Sequence, residues 1–497
     1  MNTNLKKIRL NSIISILSQI VTLILGLIIP RIILINYGSD TNGLTNTISQ
    51  IFVYVALLET GISTSARNAL YKPIQDNDND AISYWVSLAR RYFRRISLIY
   101  SIIILLCCFV APFLLKTHVS YWTIFFYMLF EGLTSVVSFY FLNTWTCFLN
   151  SKGENYIVNI VSLISKLLMY GIKIVLYMFG FNIVLIQVGY FIVSLVQVFI
   201  YMTYMKKHYP WINYKASPSD AKLPDKNSYL LIEIAWTVFS STDMIILSTL
   251  VSTELSSVYS IYNMVFVAIN GVVNSLFVAL NYNLGCQFKA NREQYIRLHD
   301  IFNNIFIGGV TALMCVTYFL LIPFIEIYTK GVHDVNYIYS SLPFLFCSVQ
   351  ILSWSRMIAS NLFGIAGHAK SNAIASIVES ALNVCLSIIF VNIFGIVGVL
   401  LATVVSLIPK VIFLNVRADV KILKRSHFKT LKIFLCNSLV FIGTVLLKPV
   451  INLSVHSYME FCIFGFVLVF IYLFIIAIVN CLTNRDLFFG LRKIISK

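Results

Sequence analysis

The amino-acid sequence predicts an all-α, polytopic membrane protein with about 14 transmembrane helices. Of its 497 residues, 59% are hydrophobic and only 11% are charged, and the mean hydropathy is +0.84. Because soluble domains carry about 25% charged residues, this composition excludes a soluble globular protein of this length. Apolar stretches long enough to cross a bilayer also recur along the whole chain, and the basic residues fall between them.

The apolar stretches give the predicted helices and their number. An even number of spans places both termini on the same side of the membrane. The predicted spans are 10–35, 42–66, 96–115, 121–148, 156–179, 182–205, 229–251, 255–282, 301–324, 338–365, 371–393, 396–416, 433–452 and 457–482. The first run follows a charged N-terminus but lacks a small-residue cleavage site, so it is predicted to remain as a helix rather than act as a signal peptide.

The distribution of lysine and arginine predicts the orientation. With the N-terminus inside, the inner loops and tails hold 29 of the 37 basic residues, whereas the outer loops hold only Lys116, Lys330 and Lys448. Cytoplasmic loops of membrane proteins carry such an excess. We therefore expect a multi-pass protein of the cytoplasmic (inner) membrane with both termini in the cytoplasm. The net charge of +17 then needs no nucleic-acid partner.

The cysteines and histidines do not predict a metal centre. The ten cysteines are scattered without a CxxC pair, and the seven histidines never pair at metal-ligand spacing. Most cysteines lie inside apolar spans, where they pack as small residues. Neither a disulfide framework nor a metal site is predicted.

A long inner segment and an internal repeat predict two halves. The segment Lys206–Ser228 contains three prolines and reads as a linker, and a shift of 214 residues places Gly43 on Ser257 and Gly153 on Gly367. Two six-helix lobes and an appended helix pair follow. The predicted divisions are an N-terminal lobe at 1–205, a linker at 206–228, a C-terminal lobe at 229–416, a cytoplasmic loop at 417–432, and the last two helices with the tail at 433–497.

Two lysines interrupt the apolar run of the fifth predicted helix. Steps of three and four residues place a polar set on one face of this helix: Asn159, Ser162, Lys166, Tyr170, Lys173 and Tyr177. Each lysine near the bilayer centre costs about 2.5–3.5 kcal/mol. The shared face favours a water-filled, cationic cavity. The alternatives are neutralisation of the lysines by buried glutamates, or extension of Lys173 to the membrane surface.

Polar residues also line other predicted helices. Asn263, Asn270 and Asn274 lie on one line of the eighth helix, where amides either join helices or bind sugar hydroxyls. The carboxylates within spans are candidates for neutralising lysines or for binding a coupling ion, and for Glu131 neutralisation is the favoured role. Arg31 follows Pro30, where extension to the membrane surface is the default, although a proline kink would return it to the cavity. Lys410 is interpreted as a boundary residue.

Short motifs resemble those of the polysaccharide transporter family of the multidrug/oligosaccharidyl-lipid/polysaccharide (MOP) exporter superfamily, which includes the Wzx-type flippases of O-antigen, capsule and exopolysaccharide units. The motifs that carry the resemblance are Tyr37-Gly38, Gly43-Leu44, Leu58-Glu59-Thr60-Gly61, Thr242-Asp243 and Gly395-Ile396-Val397-Gly398 with Ala402-Thr403. The resemblance covers the whole chain in architecture. It implies a two-lobed, V-shaped, MATE-like bundle with a central cavity that opens alternately to either side.

The resemblance also implies a substrate, an undecaprenyl-diphosphate-linked oligosaccharide moved from the inner to the outer leaflet. Candidate diphosphate ligands are Lys166, Lys173, Arg356 and Arg31. Candidate sugar ligands are Asn263, Asn270, Asn274, Asn159 and Tyr170. Candidate ion-coupling residues are Asp243, Glu233, Glu59 and Glu379. We expect no cofactor and no catalytic residue, with H⁺ or Na⁺ as the candidate coupling ion, and the polymerase and glycosyltransferases of the same pathway as candidate partners.

Three alternative functions stay open. A lipid II flippase would have a cationic cavity, but its arginines are expected in the first two helices, whereas the central cations here are lysines of the fifth. A drug/cation antiporter would have an acidic lumen without two lysines. A membrane polymerase or ligase would carry arginine and histidine on a long outer loop, and the longest outer loop here, 329–337, is short.

Overall fold

The structure is a computed structural model, and it describes residues 2–216, 234, 237–239, 241–290, 292–451 and 455–483. Every regular element in these residues is a helix, so the predicted all-α fold is confirmed. The helices are α1 (Asn2–Gln75), α2 (Asn79–Leu114), α3 (Tyr121–Val137), α4 (Asn143–Ser151), α5 (Asn155–Met178), α6 (Ile183–His208), α7 (Ser241–Leu250), α8 (Thr253–Ala290), α9 (Arg292–Tyr328), α10 (Leu342–Ser355), α11 (Met357–Ile365), α12 (Ala369–Arg417), α13 (Lys429–Leu447) and α14 (Tyr458–Thr483). Single π-helical turns follow α3 and α12, and a third, Leu247–Val251, forms the end of α7.

The described helices agree with a multi-pass membrane protein. Within the described residues, eleven helices are long and apolar enough to cross a membrane. The spanning helices in α1 and α12 each cover two predicted spans. The eleven helices therefore account for thirteen of the fourteen predicted spans. The remaining span, predicted at 229–251, falls partly outside the described residues, and its described part includes the short apolar helix α7.

Two glycines divide the longest helices. Gly38 in α1 has φ 80° and ψ 176°, and Gly395 in α12 has φ 58° and ψ −133°. A side chain at such angles would clash with the backbone, so these conformations are available mainly to glycine. Each glycine interrupts the helical backbone and separates two consecutive predicted spans. Both belong to the short motifs singled out in the sequence.

The chain folds as two compact units, Met1–Ser257 and Val258–Lys497. The predicted divisions place the boundary in the linker 206–228, of which residues 217–228 lie outside the described residues. The predicted domain boundaries therefore stay a prediction. In the first unit, α1 packs against α2 and α5, and α5 packs in turn against α6.

Helix α9 is the centre of the second unit. It is buried along most of its length, and α10, α13 and α14 pack against it. The Asn480 side chain of α14 donates to the Asn304 carbonyl at 2.9 Å and accepts from the Asn437 amide of α13 at 3.0 Å. Amides exchange hydrogen bonds well inside a membrane because water does not compete there. The predicted appended pair, α13 and α14, is thus fixed to α9 by asparagine contacts.

Gly43 allows α1 to approach the start of α8 within the first unit. A Cβ atom at Gly43 would lie only 1.7 Å from the carbonyl oxygen of Thr253. Beside it, the Asn42 amide donates to the Ser257 hydroxyl at 2.8 Å, and the hydroxyls of Thr47 and Ser256 lie 3.0 Å apart. The close backbone approach brings these small polar groups into hydrogen-bond range.

We predict that Gly43→Ala destabilises the protein. The new methyl group meets backbone rather than a flexible side chain, so the helices must separate at a cost of about 1–3 kcal/mol. The measurement is the melting temperature of the purified protein in detergent. Gly171→Ala in α5 is the matched control, because a Cβ there meets nothing within 4 Å. An equal melting temperature for the two variants would show that the approach at Gly43 is not tight.

Candidate substrate-binding site

The polar face of α5 lies against a polar face of α1. The Asn159 amide donates to the Ser15 hydroxyl at 2.8 Å, and the Lys166 amino group donates to the Thr22 hydroxyl at 3.1 Å. Both pairs are separated by 144 residues. Because the separation is constant, the two segments run parallel and in register. The polar face predicted from the spacing in α5 therefore has a matching set of small hydroxyls on α1.

Lys166 is the cation of this face with the fewest partners. Its side chain is half-buried, and Thr22 is its single hydrogen-bond partner among the residues that the structure describes. No carboxylate of the described residues forms an ion pair with it. A hydrogen bond to a neutral hydroxyl contributes about 1 kcal/mol, less than the roughly 3 kcal/mol cost of a lysine in a membrane. Its charge is therefore only partly compensated within the described residues.

Lys173 has a different environment, although it shares the face. Its side chain is 8% exposed, and its amino group lies 4.1 Å from the ring centroid of Tyr190 on α6. The ring of Tyr170 meets that of Tyr190 edge-on at 6.0 Å. A desolvated cation–π contact of this kind contributes about 2 kcal/mol. Lys173 is thus held inside the bundle rather than extended to the membrane surface.

Glu131 of α3 supplies a counter-charge near Lys173. Its carboxylate lies within electrostatic reach of Lys173 and accepts a hydrogen bond from the Gln187 side chain of α6. This arrangement fits the neutralising role favoured for Glu131 in the sequence. Lys173 therefore has an acidic and an aromatic partner, whereas Lys166 has a hydroxyl.

A buried ion-pair cluster lies in the second unit. The Arg356 guanidinium and the Lys410 amino group both contact Oε2 of Glu379, at 2.8 Å and 2.6 Å. Lys410 also donates to the Ser376 hydroxyl at 2.8 Å. Arg356, Glu379 and Lys410 are 4%, 3% and 7% exposed. One carboxylate thus holds two cations, and the cluster keeps a net charge of +1.

The backbone positions each member of this cluster. Arg356 stands at the break between α10 and α11, which divides the single predicted span 338–365. Glu379 lies before Gly395 in α12 and Lys410 lies after it, so the two sit on consecutive predicted spans. The interpretation of Lys410 as a boundary residue missed this contact. A signal was present, because Thr403, Ser406 and Lys410 follow the three- and four-residue steps of a polar helix face.

A pocket of about 380 Å³ opens beside the cluster. Glu379 and Lys410 form part of its wall, and Arg417 stands at another part. The other lining residues are Ser371, Ile374, Ala375, Val378, Leu382, Ser406, Pro409 and Phe413. The pocket therefore combines apolar walls with cations, as an amphiphilic anion requires.

Solved structures resemble this chain over almost its full length. A lipid II flippase, MurJ, in an inward closed conformation has a TM-score of 0.64 at 16% identity, covering 96% of this chain and 99% of that one. An inward-facing multidrug resistance MATE family transporter of the MOP superfamily has a TM-score of 0.60 at 15% identity, covering 85% and 95%. A MOP superfamily transporter from Pyrococcus furiosus has a TM-score of 0.53 at 13% identity, covering 88% and 94%. The chain therefore shares the fold of these three structures. No protein-family model and no curated protein matches the sequence.

The remaining predicted ligands lie on two helices, the three asparagines on α8 and Arg31 on α1. Asn270 of α8 accepts a hydrogen bond from the Trp354 indole at 2.8 Å, so its side-chain oxygen already has a partner within the protein. Asn263 is half-buried and Asn274 is exposed. Arg31 is half-buried on α1, whose backbone stays helical through Pro30 and leaves helical angles at Gly38. Roles for these residues in binding stay predictions.

The described coupling candidates belong to both units, Glu59 and Asp243 to the first and Glu379 to the second. Glu59 accepts a hydrogen bond from Ser63 on the next turn of α1. Asp243 is 6% exposed on α7, next to Thr242, whose hydroxyl is hydrogen-bonded to Tyr54. Glu233 lies outside the described residues. Among the described candidates, Glu379 is the one with two cationic partners.

We predict that Glu379→Gln destabilises the protein more than Lys410→Gln. Loss of the carboxylate leaves two adjacent buried cations, which costs about 3–5 kcal/mol. Loss of Lys410 leaves the Arg356–Glu379 pair intact, so a smaller effect is expected. The melting temperature of each purified variant in detergent measures the difference.

The double variant Glu379→Gln/Lys410→Gln provides the control for this prediction. It removes one charge of each sign, so it should regain part of the stability lost in Glu379→Gln. If all three variants melt at the temperature of the wild type, the cluster does not hold the helices together.

Proposed function

We propose that the protein is a flippase of the MOP type, which moves an undecaprenyl-diphosphate-linked oligosaccharide from the inner to the outer leaflet by alternating access. The fold supports a transporter, since the structures that share it include a multidrug transporter and a lipid II flippase. The observation that carries the proposal is Lys166, a membrane-embedded cation with only a hydroxyl partner among the described residues. Such a charge is stabilised by an anionic ligand.

The diphosphate is assigned to Lys166 first. Lysine binds phosphate as a point charge, without the paired geometry that arginine imposes. The α1–α5 face adds the hydroxyls of Ser15 and Thr22 and the amide of Asn159, all of which are able to donate to phosphate or sugar oxygens. Lys173 contributes positive potential from within its tyrosine and glutamate environment. Lys166 therefore contacts the diphosphate directly, whereas Lys173 attracts it from a longer distance.

The Arg356–Glu379–Lys410 cluster is the proposed coupling element. When a proton or a cation neutralises Glu379, two cations beside the amphiphilic pocket lose their shared counter-charge. An anionic group of the substrate then replaces the carboxylate as their partner. Arg356, predicted as a phosphate ligand, and Glu379, predicted as a coupling residue, thus act in one cluster. In one state Glu379 is the partner of the cations, and in the other the substrate is. The chemistry needs binding only, with no bond made or broken.

A lipid II flippase is the second candidate, because the MurJ structure aligns with 96% of this chain. Both candidate substrates are lipid diphosphates, and both suit a cation at Lys166. They differ in the group beyond the diphosphate, a sugar repeat unit in one and a peptidoglycan precursor in the other. Flipping assays with each labelled lipid in proteoliposomes distinguish the two functions.

We predict that Lys166→Gln lowers flipping without lowering stability. Loss of one charge-assisted contact costs about 1.5–3 kcal/mol, or roughly tenfold to a hundredfold in affinity. No carboxylate of the described residues is left without its partner, so the melting temperature should not fall. The measurement is the flipping rate of a labelled undecaprenyl-diphosphate oligosaccharide in proteoliposomes.

Two further variants make the result specific. Lys166→Arg should keep partial activity because it keeps the charge. Lys207→Gln, at the exposed end of α6, should flip at the wild-type rate. Wild-type flipping by Lys166→Gln with either lipid would reject the assignment of the diphosphate to this residue.

Lys173→Gln should behave differently and lower the melting temperature. It leaves the half-buried Glu131 carboxylate without its nearby cation and removes the cation–π contact with Tyr190. Adding Glu131→Gln should restore part of the stability in the double variant, since both charges are then absent. If Lys173→Gln instead loses flipping at an unchanged melting temperature, Lys173 binds substrate directly.

A further inference from the structure

A second cationic pocket lies in the first unit, away from the residues assigned to transport. It has a volume of about 370 Å³, and half of its lining residues are arginines of α2. The lining residues are Ser87, Arg90, Arg91, Arg94, Arg95, Leu98, Tyr214 and Lys215. No Asp or Glu is among them. Five cations thus line one pocket, and no acidic residue of the described part of the chain lines it with them.

The pocket has a defined structure on both sides. The Arg90 guanidinium lies 4.4 Å from the Tyr214 ring centroid, and the Arg94 guanidinium lies 4.6 Å from that of Tyr140. Tyr214 in turn accepts a hydrogen bond from the Trp145 indole at 3.1 Å. Aromatic rings hold both guanidinium groups in place, so the arginines are positioned before any ligand arrives.

The segment after α6 completes the pocket. The Asn213 backbone amide donates to the Ser83 hydroxyl of α2 at 3.2 Å, which fixes the segment beside the arginines. Lys215 follows and also lines the pocket, so its charge adds to that of the arginines. Because guanidinium groups pair with phosphate oxygens through two parallel hydrogen bonds, four arginines suit a phosphate-bearing ligand.

An apolar surface leads away from the pocket along α2. Leu98 lines the pocket and is 65% exposed, and Ile102 and Leu106, one and two turns further, are 61% and 60% exposed. These residues lie within the predicted span 96–115. The positive-inside distribution places the arginine end of α2 at the cytoplasmic surface. A ligand with a phosphate at the arginines and acyl chains along this surface matches both features.

We propose that this pocket binds the phosphate headgroup of an anionic phospholipid from the cytoplasmic leaflet. The lipid's phosphodiester accepts hydrogen bonds from Arg91 and Arg95, while its acyl chains lie along Leu98, Ile102 and Leu106. Arg90 and Arg94 remain stacked on their tyrosines and add positive potential. Clusters of basic residues at the cytoplasmic membrane surface attract anionic lipids in this way. The site is separate from the proposed transport function and does not depend on it.

The test compares lipid binding by the full-length protein in detergent. Phosphatidylglycerol is titrated while the melting temperature is recorded and the bound lipid is counted by native mass spectrometry. The wild-type protein should gain stability and retain the lipid, whereas Arg91→Gln/Arg95→Gln should need at least tenfold more lipid for the same effect. Arg91→Lys/Arg95→Lys should recover part of the binding, because it keeps both charges.

Controls separate the site from general charge and from free phosphate. Lys206→Gln/Lys207→Gln removes two exposed cations from the end of α6, outside the pocket, and should bind phosphatidylglycerol like the wild type. Phosphatidylcholine and inorganic phosphate should give no shift at the same concentration. Equal losses in the two glutamine pairs, or a full shift with inorganic phosphate alone, would overturn the proposal.

Discussion

A charge inside a membrane must find its counter-charge within the protein or in a ligand, because the surrounding hydrocarbon offers neither water nor ions. This constraint accounts for much of the polar arrangement in both units. In the second unit, Glu379 serves two cations at once, and in the first, Glu131 lies near Lys173. Small polar groups obey the same rule, as the hydrogen bonds of Asn480 with α9 and α13 show. Helices that share a polar contact therefore have to stay together.

The sequence predicts the spans well because hydrophobic length is a local property. The positions of most helices and the polar face of α5 follow from stretches of about 20 residues that can be examined one at a time. Contacts between helices are not local. Arg356 and Lys410 lie 23 and 31 residues from Glu379, and no spacing rule links residues that far apart. For the same reason the sequence marks Gly43 as part of a motif without revealing its approach to Thr253.

Lys166 and Lys173 show how far the pattern of one helix can be taken. Steps of three and four residues place them on the same face, and by sequence alone they are equivalent. The structure separates them, because each meets different neighbours. Lys166 faces the hydroxyls of α1, whereas Lys173, two turns further, meets Tyr190 of α6. A polar face therefore predicts that partners exist, and only the packing of the neighbouring helices decides which partners they are.

In the proposed function, the ion-pair cluster would let a substrate-binding arginine and lysine stay in the membrane when no substrate is bound. A free arginine and lysine would repel each other and would lack solvation, so the empty state needs an internal anion. Glu379 supplies it through one oxygen that both cations share. In the proposed function, a substrate phosphate is the same kind of acceptor, so it would compete with the carboxylate rather than add to it. Binding then costs only the exchange of one anion for another, and whatever neutralises Glu379 favours the exchange. Because the cluster joins the break at Arg356 to the two segments of α12, a change of anion also acts on the backbone elements that hold the pocket.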